Sequence, residues 1–84
     1  MQEVDLETAK YRLGRLAHEF DSQVFIADIE EHYGGEFYNV VFQRGYHTYV
    51  LEVEGERFSS WFADSEASPD MVKAVKLAVE ELVT

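Results

Sequence analysis

The chain contains no cysteine and a single proline, and none of its apolar stretches approaches the roughly 20 residues that span a bilayer. Without cysteine, disulfides and thiolate chemistry are excluded and the core must hold without a covalent staple, which suits a reducing cytoplasm. The N-terminus, Met1-Gln2-Glu3-Val4-Asp5, is acidic and leads into no apolar run, so it reads neither as a secretory signal nor as a transit peptide. A cytoplasmic protein with no membrane partner is expected. Cations are also scarce. Seven Lys and Arg stand against 17 Asp and Glu, a net charge of -10, which repels phosphate backbones and anionic lipid and attracts basic proteins. Direct nucleic-acid binding is therefore not expected.

What remains is enough for one core. Of 84 residues, 46% are hydrophobic and 14% aromatic, and aromatic rings supply most of the buried area available to a small domain. The expectation is a single acidic α+β domain over residues 1–84. Leu6, Ala9, Leu13, Leu16, Ala17 and Phe20 recur at spacings of three and four, the stripe of one buried helix face. Asp5 is placed to cap that helix, and Glu3, Asp5 and Glu7 suit the positive end of its dipole. Gly14 lies in its interior, where glycine costs about 1 kcal/mol relative to alanine; it reads either as a mark of close packing against another backbone or as incidental.

From Gln23 to Phe62 the period changes to two, broken at Gly34-Gly35, Arg44-Gly45 and Gly55. These breaks read as turns of an antiparallel meander, with strands at Val24 to Glu31, Phe37 to Gln43, Tyr46 to Glu54 and a short fourth at Arg57 to Phe62. Ser68 as N-cap, Pro69 at the first helical position and Asp70 in the first turn then announce a helix, with Met71, Val72, Val75, Ala78, Val79 and Leu82 as its apolar stripe. The order is α-β-β-β-(β)-α, a three- to four-stranded sheet flanked by an N-terminal and a C-terminal helix. Both helices would cover one sheet face and leave the other open.

The acid is concentrated in the sheet: residues 21–45 and 46–66 each carry a net -4, the two flanking segments -1 each. Pairing Ile29 with Val40, Tyr38 with Leu51 and Phe42 with His47 puts Phe25, Ala27, Ile29, Tyr38, Val40, Phe42, Tyr49, Leu51 and Val53 on the core face. His47 then reads as a core residue. Val24, Ile26, Phe37, Val41, Tyr46 and Val50 fall on the other face among the acids. Carboxylates two residues apart on a strand are roughly 6.5–7 Å apart, a spacing that imitates the charge run of a nucleic-acid backbone. An apolar centre with a polar rim is also how an interface patch is built. The candidate partner-binding residues are Asp28, Glu30, Glu31, Glu36, Phe37, Tyr46, Glu52 and Glu54, and the expected partner is a basic protein surface, such as that of a nucleic-acid-binding protein. Trp61 and Phe62 are read as helix-packing residues, with an interface anchor as the alternative. The alternative to mimicry is a self-associating accessory domain, a homodimer through Phe37, Val41, Tyr46 and Val50, whose acid serves solubility or salt adaptation.

No catalytic, cofactor-binding or metal-ligating set is expected. His18, His32 and His47 are scattered, and Glu30-Glu31-His32 lacks a metal-ligand spacing. Ser59, Ser60 and Ser65 have no nucleophile-elbow context, and exposed strand carboxylates lack the unequal environments that separate acid from base. The α-β-β-β-α order, with Val72-Lys73-Ala74-Val75-Lys76-Leu77-Ala78-Val79-Glu80-Glu81-Leu82, resembles that of double-stranded RNA-binding domains. The resemblance implies their topology. It does not extend to their RNA contacts, because that family presents a basic cluster where this chain has Ser68-Pro69-Asp70. In size, charge and lack of chemistry the chain also resembles the small acidic inhibitors of phages and mobile elements, anti-CRISPR proteins among them, a resemblance of type that carries no motif.

Overall fold

The computed structural model describes residues 5–84, so the expectation for Glu3 and the rest of Met1–Val4 lies outside the described residues. The order is α1 (Leu6–Phe20), β1 (Val24–His32), β2 (Phe37–Arg44), β3 (His47–Glu54), α2 (Gly55–Trp61) and α3 (Pro69–Val83). The strands form one antiparallel sheet in the order β1-β2-β3, an α+β fold. Helices α1 and α3 pack on each other and on one face of the sheet, while α2 closes one end against β2 and β3.

Each long helix starts where its sequence says it should. Asp5 caps α1 by accepting from the Glu7 N–H at 3.0 Å and the Thr8 hydroxyl at 2.9 Å, and these bonds, the Thr8 one foremost, hold its carboxyl below the usual range. Ser68 caps α3 by accepting from the Met71 N–H, with Pro69 in the first turn. The buried stripes are Ala9, Leu13, Leu16 and Ala17 on α1 and Met71, Ala74, Val75, Ala78, Val79 and Leu82 on α3. Phe20 departs from the expected stripe and is exposed at the end of α1. Of the two readings of Gly14 the structure favours the incidental one: a Cβ there would meet Ile26 Cγ1 at 3.9 Å, an ordinary contact, so no close backbone approach requires glycine.

The sheet differs from expectation at two places. The register slips between Ile26 and Asp28, leaving Ala27 as the extra residue of a bulge. A bulge inverts the faces of everything on one side of it. Val24 and Ile26 are consequently in the core and Phe25 is exposed, the reverse of strict alternation, while Ile29 opposite Val40 is as expected. On β3 the register is displaced by two residues, Tyr38 opposite Val53 and Phe42 opposite Tyr49, which preserves the faces. His47 shares the parity of the core face but lies at the strand's end beyond the core, and is exposed.

The optional fourth strand at Arg57 to Phe62 is not formed; the segment is α2, and the sheet has the three strands of the smaller expected number. Phe58, Trp61 and Phe62 recur at three and four, a helical and not a strand spacing, and Phe58 and Trp61 are buried. Gly55 is not a hairpin turn. Its N–H donates to the Glu36 carbonyl at 2.7 Å, and a Cβ there would collide with the Gly35 carbonyl oxygen and come 3.2 Å from that of Glu36. Glycine is required because the β1–β2 turn lies against the start of α2. Phe58 stacks on Tyr38 with ring centroids 4.2 Å apart. Asp70 joins α2 to α3: it accepts from Arg57 Nε at 2.7 Å, Arg57 Nη2 at 3.0 Å and Trp61 Nε1 at 2.7 Å. Trp61 is thus a core residue with its one polar atom satisfied.

Candidate functional site

The face of the sheet turned away from the helices is built in rows by the pairing. From one end to the other these are Phe25, Gln43 and Thr48; Asp28, Val41 and Val50; Glu30, Asn39 and Glu52; and His32, Phe37 and Glu54. Asp28 and Glu30 on β1, with Glu52 and Glu54 on β3, flank the central strand on both sides. Along each strand successive carboxylates are about 7 Å apart, and across the sheet about 10 Å, two strand spacings. No Lys or Arg lies in these rows. Of the seven cations, Lys10, Arg12 and Arg15 are on α1, Arg57 on α2, Lys73 and Lys76 on α3, and Arg44 ends β2. Arg44 is committed to Asp21 at 2.9 Å. Asp21 also accepts the Gln23 N–H, the main cause of its lowered carboxyl pKa, ahead of Arg44. The molecule is therefore polarised, with six of the seven cations on the helices and uncompensated acid on the open face.

Among the described residues, Asp28, Glu52 and Glu54 have no cation within ion-pair distance, and Glu30 has only His32, at 4.0 Å. Asp28 accepts the Ile29 N–H at 2.9 Å, which fixes it just after the bulge. At the acidic end an aromatic corner forms: Tyr33 meets Phe37 edge-on with centroids 5.4 Å apart, and His32 lies 6.5 Å from the same ring. Tyr33 is held there by a left-handed backbone, φ 52°, in the turn between β1 and β2, a conformation rare for a non-glycine residue. Asn39, in the middle of the acidic row, approaches His32 Nε2 with its Nδ2 at 3.2 Å, and its Oδ1 is buried without a hydrogen-bond partner.

Of the expected partner-binding residues, the structure brings together Asp28, Glu30, Phe37, Glu52 and Glu54, with Glu36 beside them in the turn. Glu31 is on the helix side of the sheet, where it accepts from the Tyr38 hydroxyl at 3.5 Å. Tyr46 is fully exposed in the β2–β3 turn, at the opposite end of the strands from Phe37. His32, Tyr33 and Asn39 were not among the expected site residues. The available signal was that His32 and Phe37 flank a glycine turn and must therefore pair. No group of three or more His, Asp or Glu converges as a metal-holding set among the described residues, and no described helix is long and apolar enough to cross a membrane. No protein-family model, curated protein or solved structure matches the chain.

Proposed function

We propose that this protein is a non-catalytic binding module whose open sheet face docks on a basic protein surface and occupies it as a nucleic-acid backbone would. The observation that carries the reading is the segregation of charge: Asp28, Glu30, Glu52 and Glu54 share a face with no Lys or Arg, while six of the seven cations lie on the helices and the seventh, Arg44, is paired with Asp21. A basic groove approaching that face meets four carboxylates arrayed about a strip of apolar and amide side chains, Phe37, Asn39 and Val41. Released counterions and a desolvated centre would both favour the contact. The second reading, a self-associating face, is supported less well, because the acidic row Glu30-Asn39-Glu52 separates Phe37 from Val41 and Val50, and Tyr46 is at the far end.

The test is capture from lysate with the wild type and with Glu30→Lys, Glu52→Lys and Glu54→Lys combined. The expected result is a partner held by the wild type alone, released by salt, and displaced by the nucleic acid that it binds. A partner held equally by both proteins, or not displaced by nucleic acid, would contradict the proposal.

A further inference from the structure

Among the described residues, no strand pairs with the outer edge of β3. Gly45, with φ 60°, takes the first central position of a two-residue loop between Arg44 and His47, and such a loop makes its flanking residues a hydrogen-bonded pair. Pairing alternates from there, so His47, Tyr49, Leu51 and Val53 bond β2, and the bond from the Gly55 N–H to the Glu36 carbonyl continues the same alternation. Thr48, Val50 and Glu52 turn their backbone groups outward, where no described strand pairs with them.

The other edge of the sheet is protected and this one is not. Strand β1 carries the bulge at Ala27, a device that discourages edge pairing. Strand β3 has eight residues with no bulge, proline or lysine, and its acids lie only at Glu52 and Glu54. At its centre Val50 is 52% exposed, with Tyr49 and Leu51 half-buried beside it.

We propose that β3 pairs antiparallel with β3 of a second copy, about a two-fold axis through Val50, joining two three-stranded sheets into one. This register is self-complementary. On the open face Val50 meets itself and Thr48 meets Glu52 of the second copy. On the helix face Tyr49 meets Leu51 of the second copy, completing the cover of two side chains that one chain leaves half-exposed. The outward N–H and C=O groups of Thr48, Val50 and Glu52 all find partners. Moving the axis to Leu51 would set Val50 against Glu52, and moving it to Glu52 would set that carboxylate against its own copy, which like-charge repulsion opposes. An axis at Tyr49 would set Glu52 against Tyr46, which lies in the turn beyond the strand, so side-chain pairing and strand extent together favour the Val50 register.

The absence of native cysteine makes single-cysteine variants a direct reading of that register. Opposed residues of a hydrogen-bonded pair have Cα atoms about 5.5 Å apart, within disulfide range, whereas the two Thr48 positions would be roughly 14 Å apart. Val50→Cys should form a covalent dimer on mild oxidation, and Thr48→Cys should not. Thr48→Cys mixed with Glu52→Cys should give the cross-linked pair. In the wild type the Val50 amide should gain protection from hydrogen exchange as concentration rises, with circular dichroism unchanged for every variant. Val50→Cys cross-linking no faster than Thr48→Cys would overturn the pairing. So would a dimer whose Val50 amide stays unprotected, since that dimer uses another surface, or protection that comes only on adding a basic peptide.

Discussion

Replacing Asp70 should separate the contributions of a charge and of a buried hydrogen bond. Its carboxylate accepts from Arg57 twice and from Trp61 Nε1, and Trp61 is only 1% exposed. In Asp70→Ala the indole N–H is orphaned in the core at about 1–3 kcal/mol, and an exposed ion pair worth less than about 1 kcal/mol is lost. The expected total is about 2–3 kcal/mol, a fall in Tm of roughly 10–20 °C for a domain of this size. Asp70→Asn keeps an acceptor for the indole and should cost about 1 kcal/mol, the charged part alone. Arg57, chiefly through its bond to Asp70, and then Trp61 hold the Asp70 carboxyl down to about 2 from 3.8. A lowered folded-state pKa contributes stability that is complete above the unfolded value and is lost as pH falls through the folded one. With the side chain 48% exposed, screening reduces that contribution to about 1 kcal/mol. The margin of the wild type over Asp70→Asn should therefore shrink as pH falls from 3.8 toward 2. Urea titrations followed by the fluorescence of the single Trp measure all of this. Equal losses in the two variants, or a margin independent of pH, would refute the reasoning.

Gly55→Ala should destabilise by about 2–3 kcal/mol, because its methyl meets backbone and the neighbouring turn must shift; a denaturant midpoint equal to that of the wild type would contradict the close approach. Gly14→Ala should stabilise by up to about 1 kcal/mol, since the added methyl has room and the helix gains propensity, which thermal unfolding would show as a raised Tm. Phe42→Ala should cost about 3–5 kcal/mol as a core deletion, while Phe25→Ala should cost less than about 1 kcal/mol. Similar losses for the two would place the bulge elsewhere.

The helices α1 and α3 were legible because their signals are local: caps within three residues of the first turn and apolar stripes of period 3.6. The meander was legible for the same reason, each turn carrying a glycine. The bulge at Ala27 was not, since nothing in Val24-Phe25-Ile26-Ala27-Asp28-Ile29 tells which of two apolar sets faces inward; tertiary packing under α1 decides it. Helix α2 was hidden by Gly55, which serves a contact with Gly35 that lies 20 residues away in sequence. The acidic rows survived both errors. The displacement on β3 was an even number of residues, which leaves faces unchanged, and Asp28 and Glu30 follow the bulge, where Ile29 faces inward as expected and its two acidic neighbours face outward. His32, Tyr33 and Asn39 join the site only through the turn geometry and the pairing across it.

The central claim is that the position of the acid matters and not its amount. The most direct measurement compares two variants of identical net charge by their affinity for the captured partner: Glu30→Lys, Glu52→Lys and Glu54→Lys on the open face, against Glu19→Lys, Glu80→Lys and Glu81→Lys on the helices. The account predicts that the first loses binding and the second retains it, with wild-type salt dependence. Equal loss in both variants would mean that net charge alone drives the association, and the docking face described above would then be wrong.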